Sequence, residues 1–142
     1  MKILVPVDGS KSSLEGARLA RDLAQAKGAQ VTLMAVVPVF PDMDLEISAR
    51  ARESLDSKLS VRAEQALEQA RGFFTGLSVG AVIISSNDVA DEIIKMAEQE
   101  KMDLIVIGSR GLKASGRFSV GGTALKVVSN ASCSVLVAKA SE

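Results

Sequence analysis

The 142-residue sequence contains no histidine, no tryptophan and no tyrosine, and it has a single cysteine. Without histidine there is no Ser-His-Asp or Cys-His catalysis, no His-ligated zinc and no side chain that titrates near neutrality in its ordinary state. Cys133, alone, can form neither an intrachain disulfide nor a cysteine metal cluster. It reads as a small buried residue beside a strand rather than a redox centre, since no resolving cysteine accompanies it. The aromatics are four phenylalanines, too few rings for a base-stacking platform. Charge of either sign is not in excess: 17 Lys plus Arg balance 17 Asp plus Glu. The whole molecule therefore has no field to draw it onto nucleic acid or an anionic membrane. No apolar run approaches the roughly 20 residues of a membrane span, and Pro6 and Asp8 interrupt the opening apolar run before it reaches signal-peptide length. The expectation is a cytoplasmic protein without nucleic-acid or membrane partners.

What is present is a composition of 47% hydrophobic and 24% charged residues, which suits one globular domain, expected over residues 1–142. Lys2 to Val7 is an apolar, β-branched run, and Asp8-Gly9-Ser10 follows it with turn chemistry and a helix cap at Ser10 or Ser12. Leu14, Ala17, Leu19, Ala20, Leu23 and Ala24 recur at helical spacing until Gly28 stops the helix. Gln30 to Val37 reads as a second strand ended by Pro38, and 39–48 as a surface loop. Across 49–73 a helix carries Leu55, Leu59, Ala63, Ala66, Leu67 and Ala70 on one face, with Arg50, Arg52, Glu53, Arg62, Glu64 and Glu68 covering the rest. Strands at 79–85, 104–107 and 134–138 alternate with helices after Asp88 and around Ala124 to Val128. This β-α alternation implies right-handed crossovers and an open, five-stranded parallel sheet with helices on both faces, Rossmann-like in class.

In such a sheet ligands bind beyond the carboxyl ends of the strands, where strand order reverses, and Asp8 and Gly108 stand at two such ends. Glycines at 108 and 111 permit positive φ and close approach to a ligand, while Gly121 and Gly122 precede the last helix, whose amides and dipole favour an anion. Arg110, Lys113, Arg117 and Lys126 are basic, and no acidic residue occurs between Gly108 and Val128. The competing reading is a flexible, solvated glycine loop; for Asp8 it is a plain turn residue. Residues 116–123 approach a Walker A loop, but Gly122 stands where the lysine belongs, and no G-x-G-x-x-G follows the first strand.

The opening Ile3-Leu4-Val5-Pro6-Val7-Asp8-Gly9-Ser10, the segment Asp103 to Gly111 and the ending Cys133-Ser134-Val135-Leu136-Val137 together resemble the universal stress protein family over nearly the whole chain. Gly108, Gly111 and Gly121 match the G-x2-G-x9-G spacing of that family's ATP-binding subgroup. The residue after Gly121 is Gly122 where the family pattern has a hydroxyl, and Thr123 follows; either Thr123 supplies that hydroxyl or the paired glycines act through amides alone. Ser132 and Ser134 replace prolines often seen around the matching cysteine. The resemblance implies that Pro6, Val7 and Asp8 lie near the nucleoside and that Val36 contacts adenine. It further implies that Ile107, Gly108, Ser109, Arg110 and Gly111, with Gly121, Gly122 and Thr123, hold ribose and phosphates. It implies ATP with Mg²⁺ as ligand, a homodimer through the last strand, and a stress-response regulator that is at most a weak ATPase with no catalytic residue assigned. The alternative is a nucleotide-free dimeric interaction module of the same fold. An exposed edge of Val135, Leu136 and Val137 would in either case invite association.

Overall fold

A computed structural model describes residues 1–39, 49–110 and 120–140. The expected loop at 39–48 falls almost wholly outside them, as do Gly111, Lys113 and Arg117. The described elements are β1 (Lys2–Pro6), α1 (Lys11–Lys27), β2 (Gln30–Pro38), α2 (Ala49–Arg71), a 3₁₀ turn (Gly72–Phe74), β3 (Val79–Ser86), α3 (Val89–Gln99), β4 (Leu104–Gly108), α4 (Gly122–Asn130) and β5 (Ser134–Ala138). Every strand pairing is parallel, in the order β3-β2-β1-β4-β5. The expected architecture is therefore present, and strand limits read from sequence differ by a residue at most.

Burial on both faces explains why the strands read as continuous apolar runs. Ile3 and Val5 of β1 point into one layer with Ala17, Ala20, Ala63 and Ala66 from α1 and α2. Leu4 points the other way, into a layer with Ile93, Ala97, Ala124 and Val127 from α3 and α4. Small residues face the sheet from α1, and a Cβ placed on Gly16 would already sit 3.5 Å from the Val106 side chain, so this helix lies close on β4. The apolar stripe of α2 behaves as its spacing requires: Ala63, Ala66, Leu67 and Ala70 are buried and Leu59 is half-buried.

The reversal of strand order is what positions the site. From β1 the chain moves outward to β2 and β3, then returns to the other side of β1 as β4. Crossovers leaving β1 and β4 therefore go to opposite sides, and their carboxyl ends are left with a crevice between them.

Candidate functional site

Proline chemistry helps to open that crevice. Val7 donates its N–H to Met34 O of β2 at 2.8 Å, and because successive strand amides alternate sides, residue 6 is the one that would donate toward β4. A proline has no N–H to give. Pairing of β1 with β2 runs on to Pro6–Met34, whereas pairing with β4 covers only Ile3–Leu104 and Leu4–Ile105.

Above the separation lies a cavity of about 480 Å³. Its lining contains Pro6, Val7, Asp8, Val36, Ile107, Gly108, Ser109, Arg110, Gly121, Gly122 and Thr123, every site residue expected from sequence apart from Gly111, which lies outside the described residues. Its lining is apolar along β2 and α3, with Met34, Val36 and Pro38 from the strand and Val89 and Ile93 from the helix, and the start of α4 completes it.

Serines and main chain join the start of α1 to the ends of β1 and β4. The Asp8 carboxylate accepts the Ser10 N–H at 2.9 Å, closing the turn in which Gly9 takes a φ of 87°. Asp8 is thus the turn residue of the plainer reading, and it also lines the cavity. Ser10 caps α1 by accepting the Ser13 N–H at 3.3 Å, and the Ser13 hydroxyl donates to Ser10 O. Ser12 clamps α1 to the end of β4, since its hydroxyl donates to Arg110 O at 2.8 Å and accepts the Arg110 N–H at 3.2 Å.

That clamp corrects the reason given for Gly108. Its φ is not positive, and what demands glycine is α1, not a ligand. A Cβ there would lie 2.5 Å from Ser13 N and 2.6 Å from Ser12 Oγ, distances at which something must shift. Gly122 is the opposite case: among the described residues no atom lies within 4 Å of a Cβ placed on it, so none of them imposes glycine there.

The start of α4 is tied down by main chain. Gly121 donates to Ser109 O at 2.6 Å, and Ser109 donates to Ala138 O of β5 at 2.8 Å. Gly121 serves as N-cap without a side-chain hydrogen bond, and the first helical bond runs from Leu125 N to Gly121 O. The amides of Gly122, Thr123 and Ala124 precede that bond and have no carbonyl partner within the helix, and all three residues line the cavity. Ser109 is only 6% exposed, yet among the described residues its hydroxyl has no hydrogen-bond partner.

Electrostatics are partly as expected. Arg110 lines the cavity, but Lys126 does not: it reaches across to Asp88 of the α3 cap at 3.6 Å. The Asp91 amide, donating to Asp88 at 3.0 Å, and then Lys126 hold the Asp88 carboxyl below its ordinary value, against a raising effect of partial burial. Burial pushes the Cys133 thiol up, which suits a packing residue. Sequence reading missed Arg62, assigned to the solvated face of α2 although it lines the cavity. A signal was there: Arg62 stands three residues after Leu59 and four before Ala66, on the apolar stripe itself.

The family model described as "Universal stress protein family" matches residues 1–139. A universal stress protein of Methanocaldococcus jannaschii is 34% identical over 140 residues, covering 97% of this chain and 81% of the relative. Among solved structures, universal stress protein UspA from Lactobacillus plantarum superposes with a TM-score of 0.79 at 28% identity, over 97% of each chain. The universal stress protein from Archaeoglobus fulgidus in complex with dAMP shares the fold, with a TM-score of 0.69 at 22% identity over 98% of each chain.

Proposed function

The chain belongs to the universal stress protein family, and on that premise we propose that it is an ATP-binding regulator whose nucleotide occupies the cavity between β1 and β4. The observation that carries this reading is the uncapped start of α4, three amides without helical partners in the lining of a cavity that is otherwise apolar along β2 and α3. Such a terminus favours an anion through its N–H groups and its dipole. The apolar lining, with Val36 and Ile93, suits a planar base. Asp8 and Ser109 lie in the same lining and offer polar contacts for ribose; Gly121 to Thr123 take the phosphates. The complex of the Archaeoglobus fulgidus protein with dAMP supports an adenine ligand.

The donor set fits Mg²⁺ carried by the phosphates rather than caged by protein. Asp8 is the one carboxylate in the described lining, and no group of three or more His, Cys, Asp or Glu comes together among the described residues. Magnesium tolerates this, because it keeps several waters and binds through substrate phosphates. Thr123 is available as a hydroxyl ligand beside the open space at Gly122. Hydrolysis is expected to be slow at most, since the lining supplies positive charge but little to orient an attacking water: one Asp8 oxygen is already committed to Ser10.

Self-association through β5 completes the proposal. This strand is an edge of the described sheet with Val135, Leu136 and Val137 half-buried, and α4 beside it exposes Leu125 and Val128 at 53% and 49%. The same exposed residues favour the second reading, a dimeric interaction module that holds no nucleotide. Calorimetric titration with Mg-ATP, ATP plus EDTA and AMP, alongside acid extraction of the purified protein, separates them. Saturable binding of ATP is expected; no nucleotide in the extract and no heat at millimolar ATP would leave the module.

A further inference from the structure

Helix α2 roofs the cavity from the face of the sheet opposite α4. It packs over the Asp8 turn, where a Cβ on Gly9 would lie in ordinary van der Waals contact, 3.8 Å, with the Ala66 Cβ. As the crossover between parallel β2 and β3, α2 runs back against the strand direction. Arg62, four residues before Ala66, therefore stands about 6 Å nearer the open carboxyl edge, above Asp8-Gly9-Ser10. Arg62 is exposed and lines the cavity. Among the described residues it makes no hydrogen bond or ion pair.

Charge gives this placement its meaning. The charged residues of the described lining are Asp8, Arg62 and Arg110. Asp8 lines the same cavity as the α4 amides, so a phosphate chain seated on those amides shares it with a carboxylate, and like charges in a partly dry cleft repel. We infer that Arg62 is a ligand-binding residue: its guanidinium lies over the Asp8 turn, offsets that carboxylate and donates to oxygens of the bound phosphate chain. The fork of a guanidinium matches phosphate oxygens as an ammonium does not. Arg62 thereby adds a cation from α2 to a site otherwise made by β1, β4 and α4, and it accounts for a charge placed on an apolar helical stripe. The inference rests on the nucleotide reading of the cavity for its ligand, but not for its chemistry.

The experiment compares wild type, Arg62→Ala and Arg62→Lys in titrations with adenosine, AMP, ATP and inorganic tripolyphosphate at low and high salt. Because Arg62 is exposed, the variants should keep the wild-type circular dichroism and melting temperature. Arg62→Ala is expected to weaken ATP and tripolyphosphate by roughly tenfold, the lower range for hydrogen bonds to charged groups, to leave adenosine unchanged, and to lose the contrast in high salt. Arg62→Lys should recover part of the loss. Unchanged ATP affinity, or an equal loss for adenosine, overturns the role of Arg62 and leaves the nucleotide reading intact. Binding of tripolyphosphate that depends on Arg62, with no binding of adenine nucleotides, does the reverse. Failure of wild type to bind any of the four overturns both.

Discussion

Four described helices start at the carboxyl edge of the sheet, and the three whose caps are described, α1, α3 and α4, start in two ways. α1 begins under the Ser10 side chain and α3 under that of Asp88, each accepting a first-turn amide. α4 begins at Gly121, where no side chain caps. A side-chain cap commits a first-turn amide to its own chain, and an uncapped terminus leaves those amides open. The position of each agrees with this: Gly121 to Ala124 line the cavity, while Ser10 and Asp88 do not. The α1 terminus is closed further by β4, through the Ser12 bonds to Arg110 and the close fit of Gly108.

The most damaging way to break the contrast is Gly108→Ala. The added carbon meets main chain at Ser13 N, so α1 and β4 must part, at a cost of about 3 kcal/mol. Urea unfolding should show the lower midpoint; an unchanged one would mean that the close approach yields freely. Next comes Gly121→Asp, which turns the open terminus into a capped one. Gly121 has φ −60° and ψ 155°, open to any residue. The new carboxylate takes the amides and repels phosphate, so ATP affinity should fall by about two orders of magnitude while stability stays within a few tenths of a kcal/mol. Wild-type affinity in a calorimetric titration would remove the α4 amides from the site.

The smallest effect belongs to the closed terminus of α3. The Asp88 carboxyl lies below its ordinary value of 3.8, first through the Asp91 amide. Its stabilising effect is complete above the ordinary value and is lost as pH falls through the lower folded one. Asp88→Asn keeps a capping oxygen but no charge. The small difference in melting temperature between the two proteins at neutral pH should therefore close below the carboxylate range; a difference that persists in acid would show that charge is not its source.

Periodicity carried the fold well because both faces of this sheet are covered. Runs such as Ile3-Leu4-Val5 are buried on each side, and the small-residue stripes of α1 and α2 have no other place to pack. Strand order was not readable from such runs, since pairing of β1 with β4 rests on contacts a hundred residues apart. The cavity lining was legible where chain chemistry is local, as in the Asp8 turn and the glycines before α4. It was misread where two distant segments meet. Gly108 owes its identity to α1, Lys126 is answered by Asp88 from another helix, and Arg62 reaches the cavity only because Ala66 settles beside Gly9.

The bond from Gly121 N to Ser109 O joins the start of α4 to the end of β4 through main chain. Its footing is the sheet itself, through Ser109 N and Ala138 O. The first turn of α4 therefore takes its position from the backbone of β4 and β5, and neither bond depends on which side chain stands at 109 or 121, so long as neither is proline.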